Sequence, residues 1–137
     1  MSALVRAGLV PRSYLGTTRG RKTGRPRTHP VVPVDHRGRR WLVAPYGPVS
    51  WVRNARATGQ VSLTRRRHTP AFLIREVPPD EAGPILQRYV HLAPSARPYF
   101  QATKNSPVEA FAAEGDRHPV FELTPVGADR QHGHPGR

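Results

Sequence analysis

The part of this chain best suited to bind a ligand is residues 19–27, which read Arg-Gly-Arg-Lys-Thr-Gly-Arg-Pro-Arg and are called the basic loop below. The basic loop carries five positive charges, two glycines and one proline, and it lies between two stretches that are typical of β-strands. Guanidinium and ammonium groups bind phosphates and carboxylates, and glycine leaves backbone N–H groups open to an anion. The composition therefore predicts an anion receptor, and the anion belongs either to a cofactor or to a nucleic acid.

Two short motifs in the basic loop indicate different anions. Residues 22–23, Lys-Thr, resemble the end of a P-loop, but Arg21 stands where that motif needs glycine, and Pro26 interrupts the helix that should follow. Residues 24–26, Gly-Arg-Pro, match the centre of an AT-hook, which inserts arginine into narrow minor grooves. The P-loop is excluded, whereas a small basic nucleic-acid-binding module that uses the basic loop stays open.

Charge is unevenly distributed along the 137 residues, which carry 22 Lys and Arg against 9 Asp and Glu and a formal net charge of +13. Up to Arg75 there are sixteen basic residues and one acid, Asp35, whereas the rest of the chain has six basic residues and eight acids. A field of this sign attracts anionic partners, including nucleic acids and membrane surfaces. We therefore expect peripheral attraction to anionic membranes in addition to an anionic ligand.

Several classes of site and location are disfavoured by the composition. The chain has no cysteine, which excludes disulfides and thiolate metal sites. His132 and His134 lack a third ligand nearby, so no metal site is predicted. No apolar run approaches the roughly 18 residues that cross a bilayer, and the N-terminus lacks the apolar region of a signal peptide. We expect a cytoplasmic protein.

The segments around the basic loop predict a mainly β protein of the α+β class. Strands, about six in number, are expected over residues 14–18, 28–34, 40–44, 60–65, 71–77 and 119–126. Two or three short helices are expected over residues 49–58, 79–90 and 107–113, and Gly59 should end the first of them. Most connections are too short for parallel crossovers, so the strands should form a small antiparallel barrel. Residues 65–67, three arginines, are interpreted as a solvated hairpin tip.

A longer pattern links the basic loop to later segments. Residues 17–27 read Thr-Thr-Arg-Gly-Arg-Lys-Thr-Gly-Arg-Pro-Arg; a hairpin follows, then Val-Ala-Pro-Tyr-Gly at 43–47, then Trp51 and Asn54 on a predicted helix. This constellation closely resembles the deazaflavin (F420)-dependent nitroreductase and quinone reductase family, a branch of the split β-barrel flavin-binding superfamily. The resemblance implies a single split-barrel cofactor-binding domain over residues 1–126, followed by a disordered tail over 127–137.

The resemblance also implies where coenzyme F420 binds. Arg21, Lys22, Thr23 and Arg27 would hold its phosphate and oligoglutamate tail. The residues implied to contact the deazaflavin ring are Thr28, His29, Pro30, Val31, Val32, Val43, Ala44, Pro45, Tyr46, Gly47, Ser50, Trp51, Val52, Arg53 and Asn54. An FMN or haem-type ligand in the same barrel is the alternative.

The implied reaction is transfer of a hydride from C5 of the reduced deazaflavin to an electron-poor small molecule, such as a quinone, an enone or a nitroaromatic compound. Aromatic side chains that could stack on this acceptor are Tyr46, Trp51, Tyr99 and Phe100. We expect Tyr99 to donate the accompanying proton. Monomer and homodimer are both open.

Overall fold

An antiparallel sheet of seven strands is the framework of residues 14–127, the part of the chain that this computed structural model describes. The strands are β1 (Tyr14–Arg19), β2 (Pro26–Val31), β3 (Val34–His36), β4 (Arg39–Val43), β5 (Gln60–Thr64), β6 (Ala71–Glu76) and β7 (Val120–Pro125). The helices are α1 (Ser50–Thr58), α2 (Pro79–Leu92), a 3₁₀ helix (Pro94–Tyr99) and α3 (Val108–Ala112). No helix among these residues is long and apolar enough to cross a membrane.

The strand order β2-β1-β5-β6-β7-β4-β3 forces the sheet to curl. Its two edge strands, β2 and β3, are consecutive in the chain and are separated only by Val32 and Pro33. That connection spans at most roughly 11 Å, so the two edges must approach each other. The sheet is a split barrel with one unpaired seam, which confirms the predicted fold class.

The predicted strand over residues 28–34 is two strands rather than one. Its first part pairs with β1, whereas residues from Val34 onward pair with β4 at the opposite edge of the sheet. The break falls at Pro33, which has no N–H to donate to a ladder. The sheet therefore has one more strand than the sequence predicted.

Side-chain alternation along the strands creates two hydrophobic cores. The interior of the barrel is filled by Val31, Leu42, Ala44, Val52, Val61, Leu63, Phe72, Phe121 and Leu123. The outer surface of β3 and β4 packs against α2, the 3₁₀ helix and α3 through a second cluster centred on Trp41, Leu86 and Phe111. Strand β4 is thus covered on both faces, because Leu42 points into the barrel while Trp41 points towards the helices.

Helix α1 closes one end of the barrel. Its buried side chains include Val52 and Ala55, and it ends as predicted at Gly59, whose φ of 75° is left-handed. The Gly59 N–H donates to the Ala55 carbonyl at 2.7 Å, which caps the helix. The helix contacts β1 and β5, and a hydrogen bond from Arg21 to Asn54 shows that its first turns lie beside the basic loop.

Candidate cofactor site

The basic loop connects β1 to β2 and is closed by its own backbone hydrogen bonds. The Gly20 N–H donates to the Arg25 carbonyl and the Gly24 N–H donates to the Gly20 carbonyl, each at 2.8 Å. Gly24 has a φ of 74°, which glycine adopts without a steric penalty. Arg19 Nη1 donates to the Gly24 carbonyl at 2.9 Å. The loop is therefore a compact turn, and its remaining cationic side chains are exposed.

This closed turn does not suit the AT-hook interpretation. An AT-hook needs an extended arm, whereas Arg25 makes backbone hydrogen bonds within the turn and Pro26 is the first residue of β2. The Gly-Arg-Pro match at 24–26 is thus part of a hairpin rather than a free arm.

Asn54 fixes the basic loop to α1. This side chain is only 3% exposed, and its Oδ1 accepts hydrogen bonds from the Arg21 backbone N–H at 3.1 Å and from Arg21 Nη1 at 2.8 Å. Ser50, one helical turn earlier on the same face, is 3.5 Å from Arg21 Nη1 through its Oγ. A hydrogen bond from a charged donor such as the Arg21 guanidinium contributes about 1.5–3 kcal/mol. The two hydrogen bonds from Arg21 to Asn54 therefore position the basic loop on α1.

A cavity of about 190 Å³ lies between the basic loop and α1. Its lining consists of Gly20, Arg21, Lys22, Thr23, Arg27, Ser50 and Asn54. Three of these residues are cationic and none is a carboxylate, so the donor set suits a phosphate or a carboxylate. The volume suits such a group but not a tricyclic ring system. All four residues predicted to hold the anionic tail thus lie together, and their role stays a prediction.

His29 and Trp51 stack beside this cavity. Their ring centroids are 4.9 Å apart and the planes are inclined by 19°. The Nε2 atom of His29 is buried without a hydrogen-bond partner among the described residues. Burial lowers the pKa of His29 to about 4, so the imidazole is neutral at physiological pH. Gly16 faces this ring, and a Cβ there would lie 3.2 Å from Nε2.

Tyr46 and Tyr99 form an exposed aromatic pair. Each is 57% exposed, and their rings meet edge to face with centroids 4.6 Å apart and an interplanar angle of 75°. Tyr46 follows β4 and Tyr99 ends the 3₁₀ helix, so segments far apart in sequence present both phenols at one place. Two of the four predicted acceptor contacts are therefore adjacent on the surface.

A buried pair, Glu114 and His118, ties together the segments that carry these tyrosines. His118 Nδ1 donates to the Pro45 carbonyl at 2.9 Å, and its Nε2 is 3.1 Å from Glu114 Oε1. The backbone N–H groups of Gln101 and Ala102 donate to the same carboxylate at 3.0 and 2.6 Å. The Pro45 carbonyl can only accept a hydrogen bond, so the contact with it places a proton on Nδ1 of His118.

The same contacts determine the charge of the Glu114 carboxyl group. Burial alone would raise its pKa, but the hydrogen bonds from two backbone N–H groups and from His118 outweigh burial and lower the pKa. This pair was not predicted from the sequence. The sequence shows only a glutamate and a histidine four residues apart, and this spacing is also common on solvent-exposed surfaces.

Several residues that were predicted to contact the deazaflavin ring or the acceptor do not line the cavity beside the basic loop. Thr28 and Pro30 lie on the outer face of β2, because side chains alternate and His29 occupies the inner face. Five predicted contacts have buried side chains within the two hydrophobic clusters, namely Val31, Val43, Ala44, Val52 and Phe100. Phe100 stacks on His118 at 4.0 Å rather than joining the exposed tyrosines. These five side chains are buried in the protein interior, and their contacts with a ligand stay predictions.

The remaining predicted positions are mixed in exposure. Val32 and Pro45 are half-buried, Gly47 is buried with a φ of 90°, and Arg53 is exposed on α1. Within residues 14–127 no group of His, Cys, Asp or Glu side chains could hold a metal ion. His132, His134 and the predicted tail from residue 128 onward lie outside the described residues.

A known protein family matches most of the chain. A profile of the family described as F420H(2)-dependent quinone reductase matches residues 6–112. None of the curated protein sequences is significantly similar to the chain.

Solved structures share the fold. A structure described as F420-H2 dependent reductase (FDR-A) is 28% identical, with 82% of this chain and 94% of that chain covered and a TM-score of 0.52. An FMN-binding protein from Nostoc punctiforme, related to pyridoxamine 5'-phosphate oxidase, is 14% identical, with coverages of 91% and 78% and a TM-score of 0.58. HutZ, the haem storage protein from Vibrio cholerae, is 13% identical, with coverages of 83% and 81% and a TM-score of 0.57. The similarity to the last two structures shows only that the fold is shared. The chain belongs to the F420H2-dependent quinone reductase family, and it is an F420-dependent oxidoreductase.

Proposed function

We propose that this protein transfers a hydride from reduced F420 to an electron-poor small molecule of the quinone, enone or nitroaromatic class, and that quinones are the first acceptors to test. The observation that carries the proposal is the cationic cavity between the basic loop and α1, which has no carboxylate in its lining. The family description supports the quinone class.

The basic loop would anchor the acidic end of the cofactor. Arg21, Lys22 and Arg27 line the cavity, and Thr23 adds a hydroxyl group. Asn54 occupies one N–H of the Arg21 guanidinium, which leaves other donors for a phosphate oxygen. Because the cavity holds only the acidic group, the ring system must lie outside it.

Reduced F420, when bound, supplies the hydride, and a quinone needs a proton as well to become a quinol. Tyr99 is the proposed proton donor, since its phenol is more than half exposed beside Tyr46. Tyr46 meets the Tyr99 ring edge to face and would hold its orientation. Glu114 and His118 support both segments from beneath through their hydrogen bonds.

A cofactor titration tests the anchor. The change in deazaflavin fluorescence on adding protein gives a Kd for the wild type and for the double variant Arg21→Ala/Lys22→Ala. Loss of two charged contacts should weaken binding by roughly 100-fold or more. The matched control is Arg37→Asn/Arg66→Gly, which removes the same charge at two other hairpins and should bind as the wild type does. Equal loss in both variants would show that net charge, rather than this cavity, holds the cofactor.

Steady-state kinetics test the acceptor and the proton donor. Oxidation of reduced F420 is followed with menadione, cyclohexenone and a nitroaromatic compound as acceptors. Tyr99→Phe should lower kcat for the quinone by about 100-fold while KM changes little, because only proton transfer is lost. Tyr46→Phe keeps the ring and should leave kcat nearly unchanged. An unchanged kcat in Tyr99→Phe would assign the proton to solvent.

A further inference from the structure

Two arginine-bearing hairpins meet at the end of the barrel that lies away from the basic loop. Six arginines, called the arginine rim, belong to the β3–β4 and β5–β6 hairpins: Arg37, Arg39, Arg40, Arg65, Arg66 and Arg67. The guanidinium carbons of Arg40 and Arg65 each lie 5.3 Å from the ring centroid of Tyr14, which joins the two hairpins across the barrel mouth. Tyr14 begins β1 and Arg19 ends it, so the basic loop lies roughly 17 Å away along this strand.

The tips of both hairpins place arginine in an unfavourable backbone conformation. Arg37 has a φ of 54° and Arg66 a φ of 59°, and they are the non-glycine residues with positive φ within residues 14–127. Arg37 is followed by Gly38 with a φ of 75°, as in a type I′ turn, for which Asn-Gly is preferred. Positive φ at Arg66 alone in its two-residue turn matches type II′, where glycine is preferred. Both hairpins thus carry a charged side chain at their outermost position despite a local conformational cost.

Most of the arginine rim is not neutralised. Arg39 pairs with Glu122 at 2.7 Å and Arg40 pairs with Asp35 at 3.0 Å. The other four arginines have no carboxylate partner within the described part of the chain. The sequence outside that part contains a single acid, Asp129. The rim therefore presents positive charge to an anionic partner.

Exposed apolar side chains flank the arginine rim. Leu15, next to Tyr14, is 46% exposed. Val126 is 42% exposed and follows β7 beside the first residue of β6, since its N–H donates to the Ala71 carbonyl at 3.0 Å. Arginine beside exposed aliphatic groups suits the interface of a bilayer, where headgroup phosphates and acyl chains are both within reach. A nucleic-acid duplex would satisfy the arginines but would leave the aliphatic groups in water.

We propose that the arginine rim docks this protein on an anionic phospholipid bilayer, with the basic loop directed away from the lipid. The proposal is independent of the hydride-transfer chemistry, because the rim and the cofactor cavity have no residue in common. A protein docked in this way would keep its cofactor cavity open to the aqueous phase.

Vesicle sedimentation tests the docking surface. Full-length protein is mixed with vesicles of phosphatidylcholine alone or of phosphatidylcholine with phosphatidylserine. Binding should require phosphatidylserine and should be lost at about 0.5 M salt. The variant Arg37→Asn/Arg66→Gly installs the residues that each turn prefers, so its thermal midpoint should equal or exceed that of the wild type. Its vesicle affinity should fall roughly 30-fold, about fivefold for each arginine.

Two further variants separate this proposal from its competitors. Arg21→Ala/Lys22→Ala loses the same charge at the other end of β1 and should sediment with vesicles almost as the wild type does while losing F420 affinity. Equal loss of vesicle binding in the two double variants would overturn the docking surface without affecting the proposed function. Leu15→Ser should weaken vesicle binding about threefold or more, as expected for one exposed apolar side chain that leaves the bilayer. Unchanged binding of that variant, or capture of duplex DNA in place of vesicles, would refute the bilayer as the partner.

Discussion

Replacing His29 with phenylalanine should remove a large part of the acid sensitivity of the fold. The native imidazole has a pKa of about 4 because of burial, whereas in the unfolded chain it titrates near 6.5. Between these two values the unfolded state binds more protons than the native state. The free energy of unfolding therefore falls as the pH falls from 6.5 towards 4. The variant His29→Phe keeps an aromatic ring against Trp51 but cannot take up a proton.

The size of the effect follows from the two pKa values. At about pH 4.5 the full shift would lower the free energy of unfolding by about 2.5 kcal/mol relative to about pH 7.5. The ring is half-buried rather than fully buried, so solvent screening reduces the expected loss to about 1–2 kcal/mol. His36 and Glu114 also titrate with shifted pKa values, but they are present in both proteins and cancel in the difference.

Guanidinium chloride unfolding, followed by tryptophan fluorescence at the two pH values, measures this difference. The wild type should lose about 1–2 kcal/mol more than His29→Phe on acidification. At neutral pH the variant should be as stable as the wild type or more stable, because the unpartnered Nε2 is removed. Equal acid sensitivity of the two proteins would show that His29 accepts a proton in the native state, and the reasoning from burial would fail.

Three other substitutions test the contacts around the site. Asn54→Leu removes both hydrogen bonds to Arg21, so F420 affinity measured by fluorescence titration should fall about tenfold. Glu114→Gln leaves His118 without its carboxylate and should lower the free energy of unfolding by about 3 kcal/mol, as measured by denaturant titration. A smaller loss than about 1 kcal/mol would mean that the pair is solvated. Gly59→Ala forces a side chain into a left-handed cap and should cost about 1 kcal/mol in a thermal melt, whereas an unchanged midpoint would contradict the cap.

Features that depend on local spacing were predictable from the sequence. The basic loop with its glycines, the helix that carries Ser50 and Asn54, and the cap at Gly59 all follow from patterns within about ten residues, and the structure contains each of them. The split barrel was also predicted, because short connections between strands exclude parallel crossovers. The cavity with its cationic lining lies where this loop and this helix meet, and anion binding there stays a prediction.

Features that depend on which face of a strand a side chain occupies, or on contacts between distant segments, were not predictable in the same way. The side chains of β2 alternate, so His29 lies inside the barrel and Thr28 outside it, and the sequence did not indicate which residue takes which side. Glu114 and His118 connect distant segments because their side chains bond to the backbone of Gln101 and Pro45. Such contacts are set by tertiary packing, which no local pattern encodes.

The unpaired seam between β2 and β3 has a mechanical consequence. Every other neighbouring pair of strands in the sheet is joined by a ladder of backbone hydrogen bonds, but these two edges are joined only by the chain that passes through Val32 and Pro33. Widening the barrel along this line breaks no ladder hydrogen bond and disturbs only side-chain contacts. The barrel should therefore open most easily along this seam. His29 lies on β2 beside the seam and would move with that strand when the barrel opens.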